Sequence, residues 1–428
     1  MSDYAPVKGT KNTFPDDHKY LTFLKKVFRH ELRKNGFRRI SLPVFEDAGI
    51  VEKVRELNSN LQIDQTGVTL RRNSHIGVLK AYVDANIAEE IQPVYYYYMD
   101  RYFDYSEEKG YHEDYRIGGD ILGEKDPILD AVMIYINYTI LNEIGLGEDF
   151  KIVINSIGSK KEQDKYREQL SDFYEGKKHI LSETAKAYLD DDPIKVFSSE
   201  YEDDKILASQ APTMQKCFKK ESKAYNENMF EYLEILGVPY EIDTTLFPND
   251  DYHCYTIWKI YSTSNSKVIS EGSRYNTLSQ YLNTPKEIPA TGFYSHTGII
   301  IDLLRERQIK IRNKDKIDLY FVQLGDEAKK VVLPLSLEAR RAGINTVVSL
   351  GTPSMKEQML KANRSGGKYV VIVGVMEARS GVFQVRDQVA GTQEEVHKDE
   401  LIAYIIDKIG DEKLDFYCPV KDLVFDNE

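Results

Sequence analysis

The chain contains 428 residues, of which 41% are hydrophobic and 29% are charged, and its formal net charge is −12. This length and composition predict a soluble globular protein with two or three domains. No apolar run approaches the roughly 18 residues of a membrane span, and the segment MSDYAPVKGTKN lacks the apolar stretch of a secretory signal. The three cysteines show no CxxC spacing, so we expect no disulfide framework, no cysteine-ligated zinc and a cytoplasmic location.

Residues 1–310 predict an antiparallel sheet backed by helices, which is an α+β arrangement. Apolar residues at helical spacing predict a first helix over 16–35, and FRRISLPVFED predicts a strand ending near Pro43. Further strands are expected at 94–100, 116–123, 151–158, 250–262 and 266–272, and helices at Pro127–Ile144 and 291–307. The polar residues 103–114 are predicted as a loop, and 159–240 as a largely helical insertion.

Residues 311–428 follow a different pattern, in which strands and helices alternate. The segments IDLYFVQLG, INTVVSLG and KYVVIVG predict strands, and the segments between them predict helices. Such alternation is typical of a small α/β domain with a parallel or mixed sheet. Residues 310–408 carry slightly more basic than acidic residues, unlike the acidic remainder of the chain.

Several motifs in this order carry a family resemblance. They are KGTKNTFPDD, RRISLPVFED, KIVINSIG, APTMQKCF, LGVPYEID, SEGSRYNTL and the tail segment LSLEARRAGINTVVSLGTPSMKEQMLKANRSGGKYVVIVG. Together they resemble the histidyl-tRNA synthetases, which are class II aminoacyl-tRNA synthetases. The resemblance implies a class II antiparallel sheet in 1–310, an anticodon-binding-like domain in 311–428 and a homodimer. It further implies ATP with Mg²⁺, histidine and tRNA as ligands.

The resemblance assigns a substrate pocket in which arginines stabilise phosphate charge and acidic groups hold the amino acid. The corresponding positions are Arg101, Arg116, Asp120, Asn73, His75, Asp251, Tyr252, His253 and Arg274. In LRRNSH, where the family has LRPEGT, Asn73 replaces a glutamate and His75 replaces a threonine. An asparagine offers no charge to an ammonium group. We therefore favour a packed or solvated junction here over a substrate contact.

The second class II motif is partly kept. Arg101 occupies the position of an ATP-contacting arginine, but Phe103 stands where the family has glutamate. Arg116 replaces a glutamine of the histidine pocket, and Asp120 keeps the acidic function. We expect Arg116 and Asp120 to form an internal ion pair that fills the pocket, in preference to recognising a ligand.

The segment TTLFPNDDYHCYTIWKIY departs furthest from its family counterpart, LVRGLDYYTGTVFE. Pro248 takes the place of an arginine that stabilises charge during histidine activation. Asp251 and Tyr252 are kept, whereas His253 replaces a tyrosine and Lys259 replaces a glutamate. Losing one well-placed donor to a developing charge costs roughly 3–4 kcal/mol of transition-state stabilisation.

The third motif has also lost an arginine. In TGFYSHTGIIIDLL an aliphatic residue near Ile299 stands at the position of the adenine-stacking arginine, and His296 replaces a glycine. Arg274, in SEGSRYNTL, is retained. Two of the three arginines of the phosphate chemistry are therefore missing, while the scaffold features remain.

This distribution supports three hypotheses. The first is a non-catalytic synthetase-like dimer that binds tRNA or a small ligand and is defective in histidine activation. The alternative is a divergent but active histidine–tRNA ligase that uses ATP and Mg²⁺. The third is a regulatory subunit of ATP phosphoribosyltransferase. We expect tRNA contacts, if any, at Lys356, Lys361, Arg364 and Lys368 of the tail, and we expect no metal site, since the His, Cys and acidic residues show no ligand spacing.

Overall fold

The computed structural model describes residues 6–10, 12–54, 61–63, 67–248, 250–309, 311, 317–349, 351, 354–410 and 414. The chain forms two compact units, Met1–Ile311 and Arg312–Glu428. None of the helices within the described ranges combines the length and apolar character that crossing a membrane requires.

The first unit is built on an eight-stranded, mostly antiparallel sheet with the strand order β1-β5-β6-β11-β10-β9-β7-β8. Only the β1–β5 and β7–β8 pairs are parallel. A small antiparallel sheet has the order β2-β4-β3. The strands are β1 (Arg38–Arg39), β2 (Phe45–Asp47), β3 (Gln62–Ile63), β4 (Val68–Leu70), β5 (Val94–Ser106), β6 (Gly110–Leu122), β7 (Phe150–Gly158), β8 (Glu241–Ile242), β9 (Cys254–Ser262), β10 (Val268–Arg274) and β11 (Ala290–His296).

Helices cover this sheet and form the insertion. Helix α1 has two acidic residues in its first turn and two basic residues in its last turn, and these charges interact favourably with the helix dipole. Apolar side chains of α1, α4 and α10 bury together against one face of the sheet. The helices are α1 (Pro15–Lys34), α2 (Ala48–Lys53), α3 (Ser74–Asp84), α4 (Ile128–Glu143), α5 (Lys160–Glu175), α6 (Glu183–Asp191), α7 (Glu202–Ser209), α8 (Lys220–Ile235), α9 (Leu278–Tyr281) and α10 (Thr297–Glu306), with 3₁₀ turns at Ile87–Glu89, Pro193–Ser198 and Met214–Cys217.

Residues 159–240, predicted as a largely helical insertion, contain the helices α5 to α8, and buried side chains of α5 to α7 form a separate core. A capping box at Ser159 and Glu162 starts α5. Buried side chains such as Tyr166 and Leu170 of α5 meet Leu189 of α6 and Leu207 of α7. The insertion is therefore a packed helical layer.

Three predicted elements differ in extent. The expected strand in FRRISLPVFED is two short strands, β1 and β2, separated at Pro43. Residues 103–114 are mostly strand, because β5 and β6 continue as a ribbon stabilised by the Tyr105–Tyr111 ring contact and turning at Gly110, whose φ is +78°. The helix expected over 291–307 begins only at Thr297, since residues 290–296 pair between β6 and β10.

The second unit is the mixed α/β domain that the tail predicts. Its five-stranded sheet has the order β13-β12-β14-β15-β16, with parallel pairing among the first three strands and antiparallel pairing among the rest. Gly366 ends α12 in a left-handed conformation, as expected for a helix C-cap. The elements are β12 (Leu319–Gln323), α11 (Asp326–Arg341), β13 (Thr346–Val348), α12 (Met355–Ser365), β14 (Tyr369–Val373), α13 (Val375–Ser380), β15 (Val382–Asp387), β16 (Gln393–His397) and α14 (Leu401–Ile409).

Candidate functional site

A cavity of about 570 Å³ lies in the first unit, over one face of the large sheet. Its volume lies within the range of small-molecule sites. Residues from the sheet, the N-terminus of α3 and the helical insertion line it: Arg72, Asn73, His75, Phe103, Asp104, Arg116, Tyr188, Lys195, Ser198, Leu246, Phe247, Pro248, Asp250, His253, Ile257, Trp258, Lys259, Glu271, Gly272, Ser273 and Tyr294.

The two faces of β10 show how the strand positions this site. Because successive side chains of a strand alternate, Glu271 and Ser273 face the cavity while Arg274 faces the helices. The Arg274 guanidinium is buried and lies 2.9 Å from the carboxylate of Asp130 on α4. It also donates to the Glu124 carbonyl oxygen. Arg274, which the resemblance assigned to the substrate pocket, therefore holds a helix to the sheet and is not among the residues that line this cavity.

The start of α3 places two of the predicted residues. The Asn73 side chain caps the helix by accepting a hydrogen bond from the His75 backbone N–H at 2.8 Å, and its Nδ2 donates to the Tyr252 hydroxyl at 2.6 Å. Asparagine suits this position because it is a strong N-cap. Asn73 and the buried His75 both line the cavity, so the junction is packed but it also forms part of the site.

The Asp120 carboxylate lies beneath His75 and is fully buried. Its Oδ1 accepts hydrogen bonds from His75 Nδ1 and from the Tyr275 hydroxyl, both at 2.7 Å. Its Oδ2 is also buried and meets no donor among the described residues. The backbone of Gly292 approaches so closely that a Cβ there would lie 1.8 Å from Oδ1. Asp120 is thus engaged internally rather than presented to a ligand.

The expected ion pair between Arg116 and Asp120 does not form. Four residues along one strand are about 13 Å apart, so the two side chains cannot meet. Arg116 instead donates from Nε to Asp114 at 3.0 Å and from Nη1 to the Arg72 carbonyl oxygen at 3.1 Å. Its guanidinium lies over the ring of Tyr294 at 4.5 Å. Burial disfavours the charge, but the neighbouring Tyr294 and Asp114 hold the Arg116 pKa above its ordinary value, so this cation remains charged in the cavity.

Arg101 is a second predicted site residue that does not line the cavity. Its side chain is 52% exposed and pairs with Glu113. Its positive charge helps to lower the pKa of Lys25 on α1. Burial is the largest cause of that lowering, followed by repulsion from Arg39 and Arg101. Arg101 therefore lies on the opposite side of β5 from Asp104, which lines the cavity and forms a 3.0 Å ion pair with Arg72.

The segment after β8 divides its predicted residues between structure and site. Asp251 pairs with Arg167 of α5 at 2.9 Å, and Tyr252 is buried. His253 lines the cavity, where its Nδ1 lies 2.6 Å from the Ser273 hydroxyl. Burial is the main cause of a lowered pKa for His253. Pro248 also lines the cavity, as its position in the motif implies.

A charged cluster closes one side of the cavity. Glu271 lies 3.6 Å from Lys259, and its carboxylate also accepts from the Tyr294 hydroxyl at 2.8 Å. His296 bridges Glu271 and Asp114, at 3.3 Å and 2.5 Å. Burial acts against each charge, but these contacts hold the pKa of Glu271 and of Asp114 below, and that of His296 above, the ordinary values.

The acidic residues of this cavity fit a Mg²⁺–triphosphate complex poorly. Asp104 is engaged by Arg72, and Glu271 by Lys259 and His296, while Asp250 lies 3.8 Å from His253 Nε2. Within the described ranges, no group of three or more His, Cys, Asp or Glu side chains is arranged to hold a metal ion. Magnesium prefers free carboxylate or phosphate oxygens.

Comparison with known proteins identifies the family. The sequence model of the family described as Histidyl-tRNA synthetase matches residues 9–297, and the one described as Anticodon binding domain matches residues 318–408. The chain belongs to the histidyl-tRNA synthetase family. This membership confirms the resemblance, and with it the class II fold expected for residues 1–310 and the anticodon-binding-like tail.

Members of this family match the chain along almost its full length. The histidine–tRNA ligase of Bacillus cytotoxicus is 28% identical, covering 96% of this chain and all of that protein. The protein named histidine–tRNA ligase 2 of Bacillus cereus is 26% identical with the same coverage. Apo histidyl-tRNA synthetase of S. aureus, 24% identical, has the same fold with a TM-score of 0.78 over 95% of this chain and all of that one.

A further fold neighbour comes from Bacillus halodurans and is described as an ATP phosphoribosyltransferase regulatory subunit/histidyl-tRNA synthetase. It is 17% identical, with a TM-score of 0.64 over 87% of this chain and 99% of that one. At this identity the likeness concerns the fold alone.

The tail residues expected to contact tRNA are placed differently from one another. Lys356, Lys361 and Arg364 are exposed on α12, within an arc of about 140° given 100° per residue. Lys368 is half-buried, and its Nζ donates to the Lys408 carbonyl oxygen. The first three share one side of α12 with the exposed Glu357, and Lys368 is tied to its own domain.

Sequence reasoning missed several residues that line the cavity. Arg72, Lys195 and Tyr294 are among them, as are Glu271 and Ser273. The alternation of side chains along a strand could have identified Glu271 and Ser273. In SEGSRY it places these two residues on one face of the strand and Arg274 on the other. No local pattern identified Lys195, which reaches the cavity from the insertion.

Proposed function

We propose that this chain is a histidyl-tRNA synthetase-like protein that does not activate histidine and acts as a dimeric binding or regulatory protein for a small ligand or tRNA. The observation that carries the proposal is Pro248, which lines the cavity at the motif position of the charge-stabilising arginine. A proline side chain offers no donor and no charge. Loss of one such donor lowers a rate by about 10²–10³.

The groups available to an amino-acid ammonium support the same proposal. Asp120 is buried beneath His75 and accepts two internal hydrogen bonds, and Asn73 is committed to capping α3. Histidine binding in the family manner needs acidic groups open to the ligand. A buried carboxylate and a neutral amide are poor substitutes, because a charged ligand group must exchange its water for equally strong partners.

A second candidate, a divergent but active histidine–tRNA ligase with ATP and Mg²⁺, has one specific observation in its favour. Four cations line the cavity, namely Arg72, Arg116, Lys195 and Lys259. Each already has an acidic partner, at Asp104, Asp114, Asp191 and Glu271 respectively. Phosphate binding would have to break these ion pairs, which is why this candidate ranks second.

The test is histidine-dependent exchange of pyrophosphate into ATP, with the histidine–tRNA ligase of Bacillus subtilis as the positive control. We expect exchange at least 10²-fold below the control, consistent with the loss of one donor or more. Exchange within tenfold of the control establishes the active ligase. Co-purification with a phosphoribosyltransferase would favour the third hypothesis, a regulatory subunit.

Binding of tRNA is tested separately, by filter binding at several salt concentrations. Replacing Lys356, Lys361 and Arg364 by Gln should weaken binding and make the salt slope shallower by about 0.7–0.9 for each lost phosphate contact. The matched control is Lys329→Gln on α11, whose side chain pairs with Asp326. An unchanged slope in the triple variant argues against tRNA contact at α12.

A further inference from the structure

Two departures from the family motifs meet in the cavity. His253 replaces the motif tyrosine, and Ser273 stands at the second glycine of the family's GGRYD sequence. In the fold the two side chains touch, with His253 Nδ1 2.6 Å from Ser273 Oγ. Both residues are largely buried, and both line the 570 Å³ cavity.

An acidic residue stands on the other side of the imidazole ring. Asp250 Oδ2 lies 3.8 Å from His253 Nε2, and Asp250 lines the same cavity. A carboxylate beside Nε2 favours the tautomer that carries its proton there. The lone pair of Nδ1 is then available to accept the Ser273 hydroxyl proton. Ser273 and His253 are thus within hydrogen-bond distance, and the Asp250 carboxylate near the other ring nitrogen can orient the imidazole electrostatically, which is the arrangement of an activated nucleophile.

The protonation state of the ring suits a general base. Burial lowers the pKa of His253 more strongly than Asp250 raises it, so the imidazole is neutral at neutral pH. A neutral histidine can accept a proton, whereas an imidazolium cannot.

We propose that Ser273 is a nucleophile, with His253 as its base and Asp250 as the orienting acid, in hydrolysis of activated acyl esters of small carboxylic acids. The proposal rests on the proposed function in one respect, namely that the cavity holds a small ligand. Uncharged esters with a good leaving group are the expected substrates, because Arg116 and Lys259, which line the same cavity, are already paired with Asp114 and Glu271.

The reaction is balanced with water as the only co-reactant. Ser273 Oγ forms a bond to the acyl carbon while its proton passes to His253 Nδ1, and the bond from the acyl carbon to the leaving group breaks. The leaving group takes the proton from His253, which restores the neutral imidazole. A water molecule then passes a proton to His253 while its oxygen bonds to the acyl carbon. The bond between the acyl carbon and Ser273 Oγ breaks as His253 returns its proton to that oxygen, and the carboxylic acid is released.

The first measurement is covalent labelling of the full chain with a fluorophosphonate probe, located by peptide mass spectrometry. We expect one adduct, at Ser273. It should be absent in Ser273→Gly, which restores the motif residue, and about 10²-fold slower in His253→Gln, as expected when a general base is lost. The matched control is Ser270→Ala. Ser270 lies on the same strand, but its hydroxyl meets Asn137 on the helix side, so labelling should persist.

Turnover is measured with 4-nitrophenyl acetate. The rate should rise with pH through an apparent pKa below 6.5, the ordinary value for histidine, because the base is His253. Wild-type protein that is folded by circular dichroism but forms no adduct at Ser273 overturns the proposal. So does an adduct at another residue.

Failure of this inference can be told from failure of the proposed function. Pyrophosphate exchange by the same preparation contradicts the proposed function and leaves a Ser273 adduct valid. If neither pyrophosphate exchange nor a Ser273 adduct is observed, the proposal that Ser273 is a nucleophile is overturned, and the proposed function is not.

Discussion

The two faces of the large sheet differ in what the sequence has kept. On the helix side, Arg274 holds Asp130 in a buried pair, and Gly272 gives room to the Trp258 ring. On the cavity side of the same strand, Glu271 and Ser273 join charged or polar contacts with residues that depart from the family motifs. One face therefore keeps the scaffold residues of the family motifs, while the other carries residues that depart from those motifs. A family match over the whole chain therefore reflects mainly the residues on the helix side of the sheet.

The largest effect is expected on the helix side. Replacing Arg274 by Met leaves Asp130 buried without its partner, which should cost about 3–5 kcal/mol of the free energy of unfolding. Urea denaturation followed by the fluorescence of the chain's single tryptophan, Trp258, measures it within this unit.

The control for that change is an exposed pair. Lys151 and Glu241 lie 2.9 Å apart on neighbouring strands, with about half of each side chain exposed. Lys151→Met should change the unfolding free energy by roughly 0.2–1 kcal/mol. Equal losses in the two variants would show that the buried pair is no more important than a surface one.

Two glycines, Gly272 and Gly298, should respond in opposite directions to replacement by alanine. A Cβ on Gly272 would lie 2.3 Å from Trp258 Cζ2 and 2.7 Å from the Gly292 carbonyl oxygen, so Gly272→Ala should destabilise the fold by about 1–3 kcal/mol or more. Gly298, in α10, has no heavy atom within 4 Å of its Cβ position among the described residues. There, Ala should be neutral or stabilising, by up to about 1 kcal/mol. Thermal unfolding of both variants checks the opposite signs, and a tolerated Gly272→Ala would contradict the close packing.

Two histidines of the cavity side should give opposite pH dependences. The folded pKa of His296 is raised because hydrogen bonds to Asp114 and Glu271 outweigh burial, so its contribution is full below pH 6.5 and is lost as pH rises through the folded pKa. The folded pKa of His253 is lowered by burial, so its contribution is present above pH 6.5 and is lost as pH falls.

The variants His296→Asn and His253→Asn separate these two effects. In the wild type, the urea midpoint should fall toward both ends of the range from pH 5 to 8.5. His296→Asn should remove the fall at alkaline pH, and His253→Asn should remove the fall at acid pH. The remaining titration comes from Asp114 and Glu271, whose lowered pKa values place their contribution at lower pH. Identical pH profiles for wild type and both variants would contradict the assigned protonation states.

Much of the fold follows from sequence patterns, because periodicity and capping are local. The helix at 128–143, the insertion and the alternating tail are examples, each carrying its apolar period and end signals within the segment. The ribbon at 103–114 was missed, since its polar residues are strand only through pairing between β5 and β6. Pairing partners are not encoded locally.

The site was less predictable for a related reason. A motif match transfers residue types, but the strand period decides which face each side chain occupies. That period places Arg274 on the helix side. Distance along the strand, about 13 Å, keeps Arg116 from reaching Asp120. The contact between His253 and Ser273 joins β10 to the segment before β9, and neither motif alone indicates it.

The most direct test of the central claim is a crystal structure obtained with ATP and histidine present together. The account predicts that histidine does not place its ammonium group against Asp120, and that His75 keeps its hydrogen bond to that carboxylate. Histidine and ATP ordered together in the cavity would contradict the claim, if Arg72 or Arg116 had left its acidic partner for the α-phosphate.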